Sequence, residues 1–194
     1  MELKLQQLIK SVPELMETAE ACRDVGLPNF YIAGGAITQL IWNSLDGKDL
    51  LDKVKDFDIV YFDKINAVSE TSFEQYFAKH LRHSVEVDIK NQATMHERYL
   101  QKFGCSIVEY ASVEQGIKSW LTAFAIGFTL DSYGNVVIYA PYGLEDAFNM
   151  LVQPNKSAMT VTSYNKMTAG YKARWPKVQV LPWDSSAKKL LKSD

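Results

Sequence analysis

Apolar residues recur at three- and four-residue steps over residues 2–24, and this spacing predicts an N-terminal helical segment. Pro13 interrupts the run. Either Pro13 breaks the helix, or Ser11 caps a second helix whose Glu14 completes a capping box. Gly26 ends the helical pattern, because glycine is the favoured residue just beyond a helix C-terminus.

Short runs of β-forming residues follow the N-terminal segment. They predict strands over residues 29–33, 56–62 and 84–89, and a hairpin of strands 124–130 and 136–139 around the turn 131–135. Helical patterns are predicted over residues 36–45, 70–81, 92–103, 144–152 and 163–175, with a further helix start at Ser112. Ser69 is the predicted N-cap of the helix over 70–81.

This alternation of elements predicts an α/β (α+β) fold, in which helices flank a small mixed β-sheet. The chain has 194 residues, a length typical of one domain. We therefore expect a single domain over residues 1–194, with its core at about 26–153. The N-terminal helix 2–24 and a C-terminal helical segment 160–176 are expected to pack on that core.

Composition narrows the range of partners. The formal net charge is -2 and the pI is about 5.9, so the chain lacks the basic surplus of most nucleic-acid-binding or membrane-surface proteins. Cys22 and Cys105 are far apart and form no CxxC motif, which favours a reducing compartment. No signal peptide is recognisable, and the apolar stretch 120–130 is too short to span a bilayer. We expect a cytoplasmic protein with no membrane partner and no nucleic-acid partner.

The triplet Asp56-Phe57-Asp58 is the first candidate for chemistry. Residues i and i+2 of a strand point to the same face, so both carboxylates share one face of the predicted strand. Like charges this close repel each other, and a cation between them relieves the repulsion. Mg²⁺ prefers oxygen ligands and retains water and phosphate in its coordination shell. A lone DxD triplet is more often two solvated acids, so this motif needs support from elsewhere.

Asp88 supplies that support, since it lies between Val87 and Ile89 on a second predicted strand. If the two strands pair, the three carboxylates converge, as two-metal phosphoryl transfer requires. Glu86 points the same way and is a rival third ligand. The ordinary alternative for Asp88 is an exposed acid at a strand edge.

Gly34-Gly35 lies between a predicted strand and a predicted helix. Two residues without side chains allow backbone N–H groups to approach a phosphate closely, and the helix N-terminus adds partial positive charge. A plain tight turn is the alternative interpretation, and for an isolated pair of glycines it is the commoner one.

The order strand–GG–helix, strand–DxD, strand–hDh resembles the polymerase-β-like nucleotidyltransferase superfamily. The matching strings are YIAGGAI, KDFDIVYFD and VEVDIKN. Further strings, KNQATMHERY, SVEQGIKSW, YAPYGLEDAF and RWP, resemble a bacterial group of nucleotidyltransferase-like proteins, over roughly residues 29–178. The resemblance implies Mg²⁺ or Mn²⁺ on Asp56, Asp58 and Asp88. It implies that Gly34 and Gly35 hold the triphosphate.

Two departures from the family pattern concern the phosphate half of the site. Many members have serine after the two glycines, whereas this chain has Ala36, and Thr38 is the nearest substitute hydroxyl. The segment 36–55 before Asp56 is also longer than usual, because it includes the loop 45–53. Both departures weaken the expectation of nucleotide binding and leave the three carboxylates unchanged.

Other residues are secondary candidates for nucleotide binding. Lys90 is expected to meet a phosphate, Asn91 or Gln92 a base or sugar, and Tyr142 to stack on a base. The bland alternatives are a polar turn after the strand and an aromatic residue packing at a helix start. Trp42, Trp120 and Trp183 are expected to serve packing. Tyr171, Lys172, Arg174 and Trp175 are expected to form a local helix cap.

The leading hypothesis is an enzyme that transfers a nucleoside monophosphate from an NTP to an acceptor hydroxyl or phosphate. A small molecule, such as an aminoglycoside-like or lincosamide-like compound, suits an acidic chain; a protein side chain is a second option and a tRNA end a third. The alternative hypothesis is a non-catalytic nucleotide- or metal-binding module that retains the fold. A plain α/β scaffold is the remaining possibility, and it predicts that the three aspartates lie far apart.

Overall fold

The computed structural model describes residues 1–65, 70–103 and 106–185. Ser69, the predicted helix cap, and Cys105 lie outside the described residues. The strands are β1 (Tyr31–Ala33), β2 (Asp56–Tyr61), β3 (Glu86–Asn91), β4 (Gly127–Leu130), β5 (Val136–Tyr139), β6 (Leu151–Val152) and β7 (Gln179–Val180). The helices are α1 (Glu2–Lys10), α2 (Pro13–Asp24), α3 (Gly35–Leu45), α4 (Glu70–His80), α5 (Met95–Phe103), α6 (Val113–Lys118), α7 (Glu145–Phe148) and α8 (Val161–Arg174), and a 3-10 turn spans Gln92–Thr94.

Five of the strands form one mixed sheet in the order β3-β2-β1-β4-β5. β2 and β3 are parallel, whereas β1 is antiparallel to both β2 and β4, and β4 and β5 form the antiparallel hairpin. β6 and β7 form a separate parallel pair. The predicted fold class, a small mixed sheet flanked by helices, is confirmed.

The boundaries of several elements differ from the prediction. Pro13 is the first residue of α2, with Val12 as its N-cap, so the N-terminal segment is two helices. Ser11 is the C-cap of α1 and not the predicted N-cap of the second helix, and its hydroxyl donates to the Leu8 carbonyl at 2.7 Å. The helix predicted over 144–152 is a single turn followed by β6, and β3 extends to Asn91 because residues 86–91 pair continuously with β2.

One hydrophobic cluster joins the two ends of the chain to the sheet. Leu5 and Ile9 of α1 belong to it, as do Ile32 of β1 and Ile59 of β2, and all four are fully buried. Each such side chain contributes on the order of 1.5–3 kcal/mol through burial of apolar surface. Among the described residues, no helix combines the length and apolar content that a membrane crossing needs.

An aromatic cluster anchors α8 against α3. The ring of Trp42 makes edge contacts with Phe124, Tyr171 and Trp175 at centroid distances of 5.4–5.9 Å. The buried indole N–H of Trp175 donates to Oδ1 of Asn43 at 2.8 Å, which satisfies its polar group inside the core. The packing function predicted for Trp42 agrees with these contacts. The same contacts fix the C-terminal end of α8 next to the C-terminal half of α3.

Candidate active site

The strand register brings the predicted carboxylates together. Asp58 of β2 lies opposite Asp88 of β3, and Asp56 lies opposite Glu86. Since the two strands are parallel and adjacent, these side chains project from neighbouring strands about 4.8 Å apart. The scaffold interpretation predicted that the three aspartates would be far apart, and this register excludes it.

The glycine turn packs directly against this acidic region. Gly34 has φ of +73°, a conformation that glycine adopts without strain, and its N–H donates to the Ile126 carbonyl at 2.8 Å. A Cβ at position 34 would lie 2.8 Å from Cζ3 of Trp120 and 3.5 Å from Oδ2 of Asp58. A Cβ at Gly35 would lie 3.9 Å from the same carboxylate oxygen. Gly34 therefore allows the Trp120 ring to approach the start of α3 closely, whereas Asp58 would lie at ordinary van der Waals distance from a Cβ at either position.

Two cavities meet at Asp58. The first, of about 440 Å³, is lined by the glycine turn and by side chains from β2, α3, the segment after α6, and α8. We call it the glycine-side cavity, and the site-forming side chains among its lining are Gln39, Lys55, Asp56, Asp58, Trp120, Tyr171 and Arg174. The second, of about 510 Å³, is the β3-side cavity, which includes Asp58, Asp88, Lys90, Gln92, Arg98 and Trp120. Asp58, Tyr99 and Trp120 line both cavities.

Asp58 is the most perturbed acid of the site. Its pKa is raised from 3.8 to about 7, first by burial and then by the negative charges of Asp56 and Asp88. The positive charge of Lys90 and a hydrogen bond from the Gly35 backbone N–H lower the pKa without offsetting the burial. The ionised form of such a carboxylate, which is partly desolvated and lies next to other acids, is stabilised when a cation binds beside it.

Asp56 has a related environment. Its pKa is raised first by burial and then by the charges of Asp88 and Glu86, whereas Lys55 lowers it. The charge of Asp88 raises the pKa of both Asp56 and Asp58, and the charge of Asp56 raises that of Asp58, as is expected of three neighbouring acids. Glu86, the rival third ligand predicted from the sequence, is exposed at the start of β3.

Asp88 differs from the other two acids because it has an ion-pair partner. The ammonium of Lys90 donates to Oδ1 of Asp88, and also to the Ile89 carbonyl at 3.1 Å. In the part of the chain that the structure describes, neither Asp56 nor Asp58 has such a partner. Lys90 lines the β3-side cavity, and its ammonium forms an ion pair with one of the three carboxylates.

The residues fit a divalent metal in part. Asp56 and Asp58 present hard oxygen donors with raised pKa values at the mouth of the glycine-side cavity. Among the described residues, however, no group of three or more His, Cys, Asp and Glu side chains is arranged to hold a metal. The donor set thus suits an ion that takes its remaining ligands from water and phosphate, as Mg²⁺ does.

Three of the predicted nucleotide-binding residues lie outside the cavities. The hydroxyl of Thr38 is buried and donates to the carbonyls of Gly34 and Ala123, so it does not replace the serine absent at position 36. The Asn91 side chain caps the 3-10 turn and bonds both backbone groups of Asp63.

Tyr142 is the third of these residues. Its hydroxyl donates to the Lys118 carbonyl at 2.9 Å, and the residue does not line either cavity. Ala36 is also buried in the main core cluster. The polar side-chain groups of Thr38, Asn91 and Tyr142 thus already have hydrogen-bond partners inside the domain.

Several cavity residues were not identified from the sequence. Gln39 lies one turn after Gly35 on α3, and Lys55 immediately precedes Asp56, so proximity to the motifs was a usable signal for both. Trp120 was assigned to packing, but it forms the wall between the two cavities. Tyr171 and Arg174 were assigned to a local helix cap, but they reach the site because α8 docks against α3.

Comparison with known proteins identifies the family. A family model described as nucleotidyltransferase matches residues 20–180. The chain belongs to the nucleotidyltransferase family. No curated protein matches this nucleotidyltransferase.

Solved structures support the fold of the nucleotidyltransferase. It superimposes with a TM-score of 0.77 on a protein whose NMR structure is described as revealing a CCA-adding enzyme head domain, at 22% identity, covering 93% of this chain and 95% of that one. A chain from a tRNA-processing enzyme complex matches at a TM-score of 0.43 and 16% identity, covering 84% of this chain and 42% of that one. The resemblance to polymerase-β-like nucleotidyltransferases is therefore confirmed at the level of family and fold.

Proposed function

We propose that this nucleotidyltransferase transfers a nucleoside monophosphate from an NTP to an acceptor hydroxyl or phosphate, with release of pyrophosphate. The observation that carries the proposal is the position of Asp58, whose carboxylate lies between the glycine-side cavity and the β3-side cavity. A reaction between two substrates needs two adjacent binding spaces that share the reacting groups.

Asp56 and Asp58 are the proposed metal ligands, with Asp88 beside them. Mg²⁺ or Mn²⁺, when bound, supplies positive charge that neutralises the phosphates and the leaving pyrophosphate. The raised pKa values of Asp56 and Asp58 support this assignment, because a bound cation would stabilise the ionised forms that burial and the neighbouring acids disfavour.

The triphosphate is proposed to lie along the start of α3. Gly34 and Gly35 leave backbone there without side chains, and the eleven-residue helix adds partial positive charge at its N-terminus. Lys55 is exposed at the edge of the same cavity and supplies a formal positive charge. This combination matches the charge of a triphosphate without any contribution from Thr38.

The nucleoside is proposed to occupy the rest of the glycine-side cavity. Trp120 offers an aromatic face, and Tyr171 is held by stacking on Phe124 at a centroid distance of 4.5 Å. Arg174 lies over the Trp175 ring at 4.7 Å and within 3.5 Å of Oε1 of Gln39. Gln39 and Arg174 together present amide and guanidinium groups that can read the edge of a base.

The acceptor is proposed to enter the β3-side cavity, next to Asp88. Its oxygen forms a bond to the α-phosphorus, the bond from that phosphorus to the bridging oxygen breaks, and pyrophosphate leaves. The acceptor proton passes to Asp88, a carboxylate on the acceptor side of Asp58. Most of the rate enhancement then comes from positioning and charge neutralisation.

A small molecule remains the proposed class of acceptor. A cavity of about 510 Å³ is of the size that accommodates one small ligand, and the net charge of -2 does not favour a polyanion. The structural relative described as a CCA-adding enzyme head domain makes a nucleic-acid acceptor the competing outcome of the test.

The test follows radioactive phosphorus from the NTP into the acceptor. The protein is incubated with Mg²⁺ and α-³²P- or γ-³²P-labelled NTPs, together with a metabolite, RNA or protein fraction from cells. We expect the α label, and not the γ label, to appear in the metabolite fraction. Asp56→Asn and Asp58→Asn should abolish the transfer. Transfer of the γ label, or undiminished transfer by both variants, would contradict the proposal.

The second candidate is a nucleotide-binding module without transferase activity. It is favoured by the ion pair between Lys90 and Asp88, since an acid held by a lysine is less available to an acceptor proton. This candidate predicts that NTP analogues bind with metal but that none of the three fractions receives label.

A further inference from the structure

Lys90 is placed where a second metal ion would otherwise interact with Asp88. Asp88 and Lys90 are two residues apart on β3, so they project from the same face of the strand. That face also carries Asp58, the register partner of Asp88. Ile89, which points the other way, is fully buried in the core, and this fixes the orientation of both neighbours.

The contacts of the Lys90 ammonium fix its position further. It donates both to the Asp88 carboxylate and to the Ile89 carbonyl, so two acceptors on the same strand hold it. Lys90 and Asp88 also line the β3-side cavity together with Asp58. The Lys90 ammonium consequently lies inside the proposed active site, in the same cavity as Asp58 and Asp88.

The ordinary interpretation of such a contact is a surface ion pair, which stabilises a fold by at most about 1 kcal/mol. The Asp88 side chain is 45% exposed and that of Lys90 is 32% exposed, values that fit this interpretation. It does not account for the asymmetry of the site, however. Among the described residues only one of the three aspartates is paired, and it is the one on the acceptor side.

We propose that Lys90 acts as a built-in cation on Asp88, so that this nucleotidyltransferase binds one divalent ion, at Asp56 and Asp58, instead of two. The inference rests on the metal site of the proposed function and specifies its stoichiometry. A fixed ammonium and a divalent cation within a few ångströms repel each other strongly in a partly buried site. Replacement of Lys90 by a neutral side chain therefore opens an acceptor-side metal position.

The experiment counts bound Mn²⁺ by electron paramagnetic resonance, in which free and bound Mn²⁺ are distinguished. Inorganic tripolyphosphate is added as a base-independent substitute for the NTP triphosphate. We expect wild type to bind one Mn²⁺ per chain and Lys90→Met to bind two. The second ion should bind Lys90→Met at least about tenfold more tightly than any second ion on wild type.

Lys90→Arg is the matched control, because it keeps the positive charge on the same strand position. It should bind one ion, as wild type does. Asp88→Asn combined with Lys90→Met should also bind one ion, since the acid that the second ion needs is then missing. Thermal denaturation of each variant identifies any that fail to fold, and Lys90→Gln, a second neutral replacement, takes the place of Lys90→Met if that variant is unstable.

The outcomes separate this inference from the proposed function. Two ions on wild type, with unchanged affinity in Lys90→Met, overturn the inference but leave the metal site at Asp56 and Asp58 intact. A single ion on Lys90→Met also overturns it. If wild type binds no Mn²⁺ with tripolyphosphate, or if Asp56→Asn and Asp58→Asn do not weaken binding, the proposed metal site itself is rejected.

Discussion

Asp58 and Asp88 face each other across two parallel strands, and they are paired residues in the register of β2 and β3. The two acids differ in their surroundings, because Asp58 is half-buried with a pKa raised to about 7, whereas Asp88 forms an ion pair with Lys90. Asp58 lines both the glycine-side cavity and the β3-side cavity, whereas Asp88 lines the β3-side cavity.

The first prediction concerns pH and metal-free stability. The pKa of Asp58 is about 7 in the folded chain against 3.8 in the unfolded chain. As pH rises from about 4 to 7, the unfolded state releases this proton first, so the free energy of unfolding falls. We expect Asp58→Asn to be more stable than wild type at pH 8, by on the order of a few kcal/mol. The difference should disappear near pH 4.

Urea denaturation in the presence of EDTA measures this effect. Addition of Mn²⁺ at pH 8 should stabilise wild type and not Asp58→Asn, because the cation relieves the cost of ionising Asp58. Asp24→Asn removes the same charge at an exposed position and serves as the control. If the free energy of unfolding of Asp58→Asn differs from that of wild type by the same amount over the whole pH range, the raised pKa of Asp58 is contradicted.

The second prediction concerns the glycine turn. Gly34→Ala introduces a side chain at φ of +73° and 2.8 Å from the Trp120 ring. We expect the free energy of unfolding to fall by about 2–4 kcal/mol. Gly26→Ala has a similar φ of +71° but open space, so it should cost only about 1 kcal/mol.

Gly170 provides the opposite control for the turn. It lies in α8 with ordinary helical backbone and no atom within 4 Å of an added Cβ. Gly170→Ala should therefore stabilise the chain by about 1 kcal/mol. Chemical denaturation of the three variants separates backbone strain from the steric conflict with Trp120, and equal losses for Gly34→Ala and Gly26→Ala would exclude that conflict.

The third prediction concerns Thr38. Its buried hydroxyl donates to Gly34 at 3.1 Å and to Ala123 at 2.7 Å. Thr38→Val removes the donor to the Ala123 carbonyl, whereas the Gly34 carbonyl still accepts the Thr38 backbone N–H, and the free energy of unfolding should fall by about 1–2 kcal/mol. The affinity for tripolyphosphate in the presence of Mn²⁺, measured by calorimetry, should not change. Thr38→Ser, which retains the hydroxyl, should lie between wild type and Thr38→Val in stability. A Thr38→Val variant that folds well but loses tripolyphosphate would restore Thr38 as a phosphate ligand.

The fourth prediction compares two aromatic residues. Trp120 lines both cavities, whereas Tyr142 lies outside them. We expect Trp120→Ala to weaken the binding of α,β-methylene NTP analogues by about tenfold or more, since a stacked base is worth 1–3 kcal/mol. Tyr142→Leu should have little effect. Calorimetry with analogues of all four bases measures both, and a comparable loss in Tyr142→Leu would return Tyr142 to the site.

Sequence reasoning reached the centre of the site because its residues are contiguous or follow strand periodicity. Asp56 and Asp58 share a face through the two-residue repeat of a strand, and Gly34-Gly35 marks a change from strand to helix. Asp88 was identified by its apolar neighbours. The fold class followed from the same alternation of patterns, since each element must bury one face against another.

The periphery of the site was less predictable, for a physical reason. Thr38 and Tyr142 have side chains suited to a nucleotide, but the folded chain uses their hydroxyls to satisfy backbone carbonyls. A hydroxyl bonds to the acceptor that folding brings nearest to it, and local sequence does not specify which acceptor that is. Residue type alone consequently overestimated the number of nucleotide contacts.

The sequence by itself determined the acids, the glycine turn and the mixed α/β fold, because these depend on residue type and on short-range periodicity. Only the tertiary structure decided that Tyr171 and Arg174 border the glycine-side cavity, more than a hundred residues along the chain from Asp58. Tertiary packing also raised the pKa of Asp58, a half-buried acid without an ion-pair partner among the described residues. Such partial burial depends on which elements come together in space, and the docking of α8 and the register of β2 with β3 supply that information.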